Sequence, residues 1–354
     1  MKRKPEALVI LSPAFPANEA DENWIPTHQL MVNALKKNFP AVNIFVLSFL
    51  YPEHQQTYDW KGVRVTSFNG MRQRKWKRIF LWWNIWQELR SIRREYHIKG
   101  LFSFWCGETA LIGKYFGKFY SIRHCCWISG QDAQKKNKWV KWINPRPQEL
   151  AAMSNFLART FFKNHGIRPE YVLPNAVDPQ LFPPVTSQEK DIDILGAGAL
   201  IPLKRYHILV EVVASLRSEF PAVKALHCGG GDEKESLQQL IKEVGLEHNL
   251  SLLGERPRQD VLRLMQRAKV FLHTSSYEGF STVCLEALYA GAHVISFCDP
   301  LDQRVAQWHI VQSTEEMVKK ASEILQNPDT EYKPVLLYTM DTIAKSAMKL
   351  FDYA

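Results

Sequence analysis

Short runs of β-branched and apolar residues alternate, along almost the whole chain, with longer stretches whose apolar residues recur at three-to-four spacing. In the first half the runs fall at 7–11, 43–49, 63–68, 100–104, 122–128 and 151–153, with helical patterns at 24–37, 77–96 and 109–116. The rhythm pauses at LPNAVDPQLFPP (173–184), a proline-rich passage of little periodicity, and then resumes. Strands are predicted at 191–196, 223–228, 250–253, 270–274 and 293–297. Helices are predicted at 204–219, 233–244, 259–266, 281–290 and 314–325, with a last one over 339–351. Such alternation predicts parallel sheets with helices on both faces. The expected fold class is therefore α/β, with two open sheets divided at a linker. Ligands in such folds sit at the carboxyl ends of the strands. No repeat of fixed period occurs, which excludes solenoids and propellers.

The 354 residues hold 45 Lys and Arg against 36 Asp and Glu, a formal charge of +9. That balance favours a polyanionic neighbour: nucleic acid, an anionic membrane or a phosphorylated small molecule. The six cysteines are scattered and form no C-x-x-C pair, so neither a disulfide framework nor a zinc site is expected, and a reducing, cytosolic setting is. The basic residues 2–4 and the apolar run at 7–11 imitate a signal peptide, but the run is too short before Pro13. The apolar concentration at 79–86 is about a third of a membrane span, so no bilayer crossing is expected.

Three loops following predicted strands carry residues suited to an anionic ligand. In TSSYEGFSTVCLEAL (274–288) a strand ends near Thr274, a loop carries Glu278, Gly279 and Phe280, and a helix begins near Ser281. The amides of Ser281, Thr282 and Val283 then face outward at a positive helix end, the geometry of a phosphate site. Glu286 lies further along that helix, either solvated or accepting hydrogen bonds from ribose hydroxyls. In GAGALIPLKRY (196–206), Gly198 allows close backbone approach, and Lys204 is expected to open the next helix. A lysine there opposes the helix dipole unless an anion lies between them; Arg205 shares that role or is a surface residue. Ile201 interrupts G-x-G-x-x-G, which counts against a dinucleotide cofactor. The third loop, GGGD (229–232) with Gly230 at its centre, suits a tight turn, a close ligand, or both.

Taken together, GAGALIPLK, CGGG, LLG and AKVFLHTSSYEGFSTVCLEALYAGAHVIS resemble the retaining glycosyltransferases of family 4, which have the GT-B fold. The resemblance is specific over roughly residues 149–296. It implies two Rossmann-like parallel-sheet domains facing each other across a cleft: 1–178 on the acceptor side, 179–338 for the nucleotide sugar, and 339–354 as a closing helix. It further implies a UDP- or GDP-linked sugar as donor, no cofactor and no required metal. By this likeness Glu278 and Lys204 are catalytic, Glu286 holds the ribose, and Gly279 and Phe280 sit by the sugar. Two departures stand out. The lysine's usual arginine partner is Ala199 here, and the family's H-G-x-D turn reads Ser129-Gly-Gln-Asp132, leaving Asp132 and Ser129 as the acceptor-side candidates. The family's second Gly-Gly loop is also replaced by CDPLD (298–302).

The implied acceptor is a glycan or lipid-linked glycan of a surface polysaccharide, lipopolysaccharide or glycolipid. The loop at 12–25, with Asn18, Glu19 and Asp21, either holds acceptor hydroxyls or is simply solvated. The segment from Met71 to Arg94 is dense in cations and tryptophan, with Trp82, Ile85, Leu89, Ile92 and Tyr96 as its core stripe. Its remaining aromatics and cations, like those of KKNKWVKW (135–142), suit either a solvated basic face or an anionic leaflet. No nucleic-acid-binding motif accompanies them. The expected location is cytoplasmic, at the inner face of the plasma membrane. Two alternatives share these motifs: a non-catalytic nucleotide-sugar-binding scaffold, favoured by Ala199 and Ser129, and a GT-B sugar-nucleotide epimerase.

Overall fold

The computed structural model describes residues 4–21, 25–71, 78–184 and 190–353. The chain divides into two compact units, residues 1–175 with 340–354, and residues 176–339. The first unit contains strands β1 (Glu6–Ala14), β2 (Asn43–Tyr51), β3 (Gln56–Trp60), β4 (Val63–Ser67), β5 (His97–Phe104), β6 (Arg123–Ile128), β7 (Leu150–Ala152) and β8 (Tyr171–Val172). They form one sheet in the order β3-β4-β2-β1-β5-β6-β7-β8, parallel throughout except for the β3–β4 hairpin. The central strand β1 is buried along nearly its whole length, as its unbroken apolar run requires when helices cover both faces. The helices are α1 (Pro26–Asn38), α2 (Arg78–Glu95), α3 (Glu108–Tyr120), α4 (Trp139–Ile143) and α5 (Asn155–His165). On α2 the buried residues are Leu81, Ile85, Leu89 and Ile92, one stripe at three-to-four spacing that packs with Phe45, Leu101 and Phe116.

The second unit repeats the plan with β9 (Ile192–Ala197), β10 (Ala225–Cys228), β11 (Leu250–Leu252), β12 (Ala268–His273), β13 (His293–Ser296) and β14 (Trp308–Ile310), ordered β11-β10-β9-β12-β13-β14 and all parallel. Its helices are α6 (His207–Arg217), α7 (Lys234–Glu243), α8 (Arg258–Arg267), α9 (Thr282–Tyr289) and α10 (Thr314–Gln326). A last helix, α11 (Met340–Lys349), belongs to the first unit. Its Asp341 accepts from Lys37 (2.7 Å) and Asn38 (2.8 Å) at the end of α1. Phe351 beyond it is buried edge-on against Phe102, which stabilises by about 1.5–3 kcal/mol. Gly100 makes room for that ring: a Cβ there would lie 2.2 Å from Phe351.

Two expectations need correcting. Lys204 does not open a helix; it closes a 3-10 turn (Pro202–Lys204), Arg205 is left-handed at φ 50°, and α6 starts at His207. The strands β3, β8 and β14 and the helices α4 and α5 were not expected. Trp24 and the basic residues Arg72, Arg74, Lys75 and Lys77, with Trp76, lie outside the described residues.

Candidate functional site

In the second unit β9 and β12 are neighbours, and both run in the same direction. Their carboxyl ends therefore place the 198–206 and 274–281 loops side by side. Lys204 from the first loop forms an ion pair with Glu278 from the second. Ser275 Oγ lies 3.4 Å and His273 Nε2 3.5 Å from the same carboxylate oxygen. Burial pushes the Glu278 carboxyl up, but His273 and the Lys204 ammonium outweigh it and hold the carboxyl at about 2. Glu278 is therefore an anion at any working pH.

The α9 helix begins beside this pair. Its N-cap, Ser281, gives no side-chain cap, and the first turn has no acidic residue to offset the dipole. Phe280 is buried against Tyr338. Glu286 is not solvated: it is 9% exposed and ion-paired to Arg258, the first residue of α8. Burial raises its carboxyl above the ordinary value, and Arg258 only partly opposes that. Arg258 Nε is itself buried without a partner among the described residues. Sequence reasoning missed Arg258, though its signal matches that noted at Lys204: a cation where a helix dipole disfavours one.

Arg205, expected beside the diphosphate, is committed elsewhere. Its Nε donates to the Thr274 carbonyl at 3.0 Å and its guanidinium stacks on Phe297, 4.7 Å from the ring centre. The glycine loops are bound to each other. Leu200 N donates to Gly230 O (2.8 Å) and Gly198 N to Cys228 O (2.9 Å). Gly229 sits at φ 139°, and a Cβ there would lie 2.0 Å from Gly198 O. Gly229, like Gly231 against Leu200, is thus required by loop-to-loop packing, whatever approaches it. Tyr206, buried, brings its hydroxyl close to Gly198.

In the first unit the chain leaves β1 toward β2 on one side and later crosses to β5 on the other, so the crevice between β1 and β5 is a topological switch point. A cavity of about 560 Å³ opens there, lined by Pro13 after the middle of β1, Trp105 after β5, Asp132, and Trp139 of α4. Trp105 holds a left-handed backbone (φ 67°), a costly conformation for a bulky residue. Asp132, the acceptor-side candidate, is placed at the cavity, with its carboxylate engaged in the turn that carries it. It accepts from Ser129 N (2.7 Å) and Ser129 Oγ (3.0 Å), closing a capping box on a 3-10 turn, Gly130–Ala133. Ser129 is spent on the same cap. Asn18 accepts from Ala20 N in an exposed local turn, and Asp21 accepts from Ala17 N and Tyr51 Oη.

Burial raises the Asp132 carboxyl to about 6 against 3.8 for the ordinary group. A carboxyl raised on folding contributes stability that is present below pH ~4 and lost as pH rises through ~6. Asp132→Asn keeps an acceptor for Ser129 N without that titration. Denaturant unfolding of the two proteins should therefore show the asparagine variant gaining on wild type between pH 4.5 and 7.5. A constant difference across that range would contradict the assignment.

Two parallel-sheet units with a linker at 175/176 and a closing helix returned to the first are the GT-B architecture. The solved structure of Anabaena HepE in complex with UDP and glucose matches with a TM-score of 0.72 at 16% identity, covering 98% of this chain and 99% of that one. Residues 177–333 match the family glycosyl transferases group 1. The chain accordingly has the GT-B fold, and its second unit is similar to the glycosyl transferases group 1. It is 31% identical over 206 residues to the phosphatidylinositol N-acetylglucosaminyltransferase gpi3 subunit of Schizosaccharomyces pombe, covering 56% of this chain and 45% of that protein. It is 30% identical over 154 residues to the MMP alpha-(1->4)-mannosyltransferase of Mycolicibacterium hassiacum, covering 42% of this chain and 36% of that protein. The alignments thus span less than half the length of these curated relatives.

Proposed function

We propose that the protein is a retaining, metal-independent glycosyltransferase that moves a sugar from a UDP- or GDP-linked donor to a glycan or lipid-linked acceptor. The observation that carries this reading is the Lys204–Glu278 pair beside the uncapped start of α9. Cleavage of the donor's glycosidic bond places negative charge on the departing diphosphate. An ammonium and a helix N-terminus fixed in advance stabilise that charge without reorganising. In this reading the diphosphate competes with Glu278 for Lys204, and Glu278 turns to the sugar hydroxyls with the Gly279 and Phe280 backbone. Ser281, Thr282 and Val283 offer the helix end, Gly198 and Gly230 let the chain approach, and Glu286 receives the ribose.

The acceptor hydroxyl oxygen bonds to the anomeric carbon on the face that the leaving oxygen vacates. Its proton passes to the departing phosphate oxygen, so no protein nucleophile is needed and the configuration is kept. The acceptor would occupy the switch-point cavity of the first unit, against Trp105. The name of the Schizosaccharomyces pombe relative, a phosphatidylinositol N-acetylglucosaminyltransferase subunit, supports a glycolipid product, and the cytoplasmic face of an anionic membrane is the location proposed with it.

The test is turnover of a panel of UDP- and GDP-sugars in chelator, with the anomeric configuration of the product read by NMR. Transfer with retention in the presence of chelator is expected. Inversion, or dependence on added metal, would overturn the mechanism; binding without turnover would favour the scaffold reading.

A further inference from the structure

The first unit has a second cavity, of about 550 Å³, at the amino ends of β6 and β7, the edge of the sheet opposite the switch-point cavity. Lys114, Lys118, Arg123 and Arg146 line it, against one carboxylate, Glu149. Glu149 is already shared between Lys114 (3.0 Å) and Arg146 (2.9 Å). Lys118 has no hydrogen bond or ion pair among the described residues. Arg123 pairs with Asp352 (2.6 Å), so four cations meet two carboxylates and Lys118 is left over.

A second observation comes from His124 in the same wall, 7% exposed. Ser103 Oγ spends its one hydrogen on the Thr109 carbonyl, so His124 Nε2, 2.9 Å away, must donate to it. That leaves His124 Nδ1 as a bare acceptor, buried and without a partner among the described residues. A buried acceptor left unpaired is costly unless a donor reaches it. The cations and His124 thus line one cavity, with His124 Nδ1 as a buried acceptor in its wall.

Beside it α3 presents Tyr115 and Phe119, the latter 72% exposed, and α4 presents Trp142, 60% exposed. Tyr115 Oη donates to the Trp142 carbonyl (3.1 Å), joining the two helices. Phe119 meets Trp86 (6.1 Å), whose helix adds the exposed Ile79, Phe80 and Trp83 on the side opposite its core stripe. Exposed apolar side chains gathered in this way beside cations mark an interaction surface. A second copy of the chain, itself at +9, would meet it with like charge.

We propose that this face seats on an anionic leaflet, with Phe119 and Trp142 in the interfacial layer, and that the adjoining cavity takes the phosphate and a hydroxyl of a polyol-phosphate lipid headgroup. The inference deepens the membrane reading above by naming the face and the headgroup chemistry. It is tested by co-sedimentation with phosphatidylcholine vesicles containing 30% phosphatidylglycerol or 30% phosphatidylserine. Wild type should bind the glycerol headgroup more tightly than serine at equal charge. Lys118→Glu with Phe119→Ser should weaken binding at least ~10-fold while leaving the unfolding midpoint and UDP binding unchanged. Wild type that ignores both vesicles contradicts the membrane reading and this one together. Wild type that binds while the double variant binds equally, or that shows no preference for glycerol over serine, contradicts this site alone. Glycerol phosphate in solution binding as tightly as the vesicles would mark a soluble-anion site instead.

Discussion

Lys204→Ala and Glu278→Ala should each slow sugar transfer by at least ~100-fold, about 2.7 kcal/mol of transition-state stabilisation. The two losses have different origins. Without Lys204 the departing diphosphate keeps only the α9 N-terminus. Without Glu278 the ammonium remains but the sugar loses its carboxylate partner. Stability separates the chemistry from the packing. Glu278 is largely buried and is held ionised by His273 and Lys204, so Lys204→Ala alone leaves a carboxylate without its main counter-charge. Its carboxyl then rises, and the variant should lose stability relative to wild type as pH increases. Lys204→Ala with Glu278→Gln should restore the unfolding midpoint and leave transfer slow. Recovery of both, or wild-type rates in either single variant, would remove the pair from the reaction.

Arg258→Leu should destabilise the second unit by about 3–5 kcal/mol, because it leaves Glu286 buried and alone. The sign with pH follows from Glu286, whose carboxyl burial already raises. A raised carboxyl contributes stability that is kept at low pH and lost as pH climbs through its folded value. Losing Arg258 raises it further, so the deficit should be small at pH 5 and large at pH 8. Arg258→Leu with Glu286→Leu should recover most of the stability, since a buried pair replaced by apolar groups is near neutral. Denaturant midpoints at the two pH values are the check, and equal deficits at both would show that Glu286 is not the group left unpaired by the change.

The sheet plan was legible because strands covered on both faces must be continuous apolar runs, as in Ala7–Leu11 within β1 and in Val270–His273 within β12. The hairpin strand β3 was not, since its sequence QTYDW is mostly exposed at a sheet edge and carries no such run. The helix expected from Lys204 failed for a local reason: Pro202 and the left-handed Arg205 hold a separate turn before α6. At the site, Glu278, Lys204 and the start of α9 were readable because each follows a strand and the parallel order brings those ends together. Arg258 was not readable as Glu286's partner, because pairing across two helices depends on how α8 and α9 pack. Asp132 was found by motif, but the capping box that it forms with Ser129 within one short turn was not.

The central claim is that the carboxyl ends of β9 and β12 hold a nucleoside diphosphate sugar through Lys204. Calorimetric titration of UDP- and GDP-sugars in chelator, against wild type and Lys204→Ala, measures it directly. Saturable binding of one nucleotide class to wild type, weakened at least ~10-fold by Lys204→Ala, about 1.4 kcal/mol, is the result expected. No binding of either class, or equal binding by the two proteins, would contradict it.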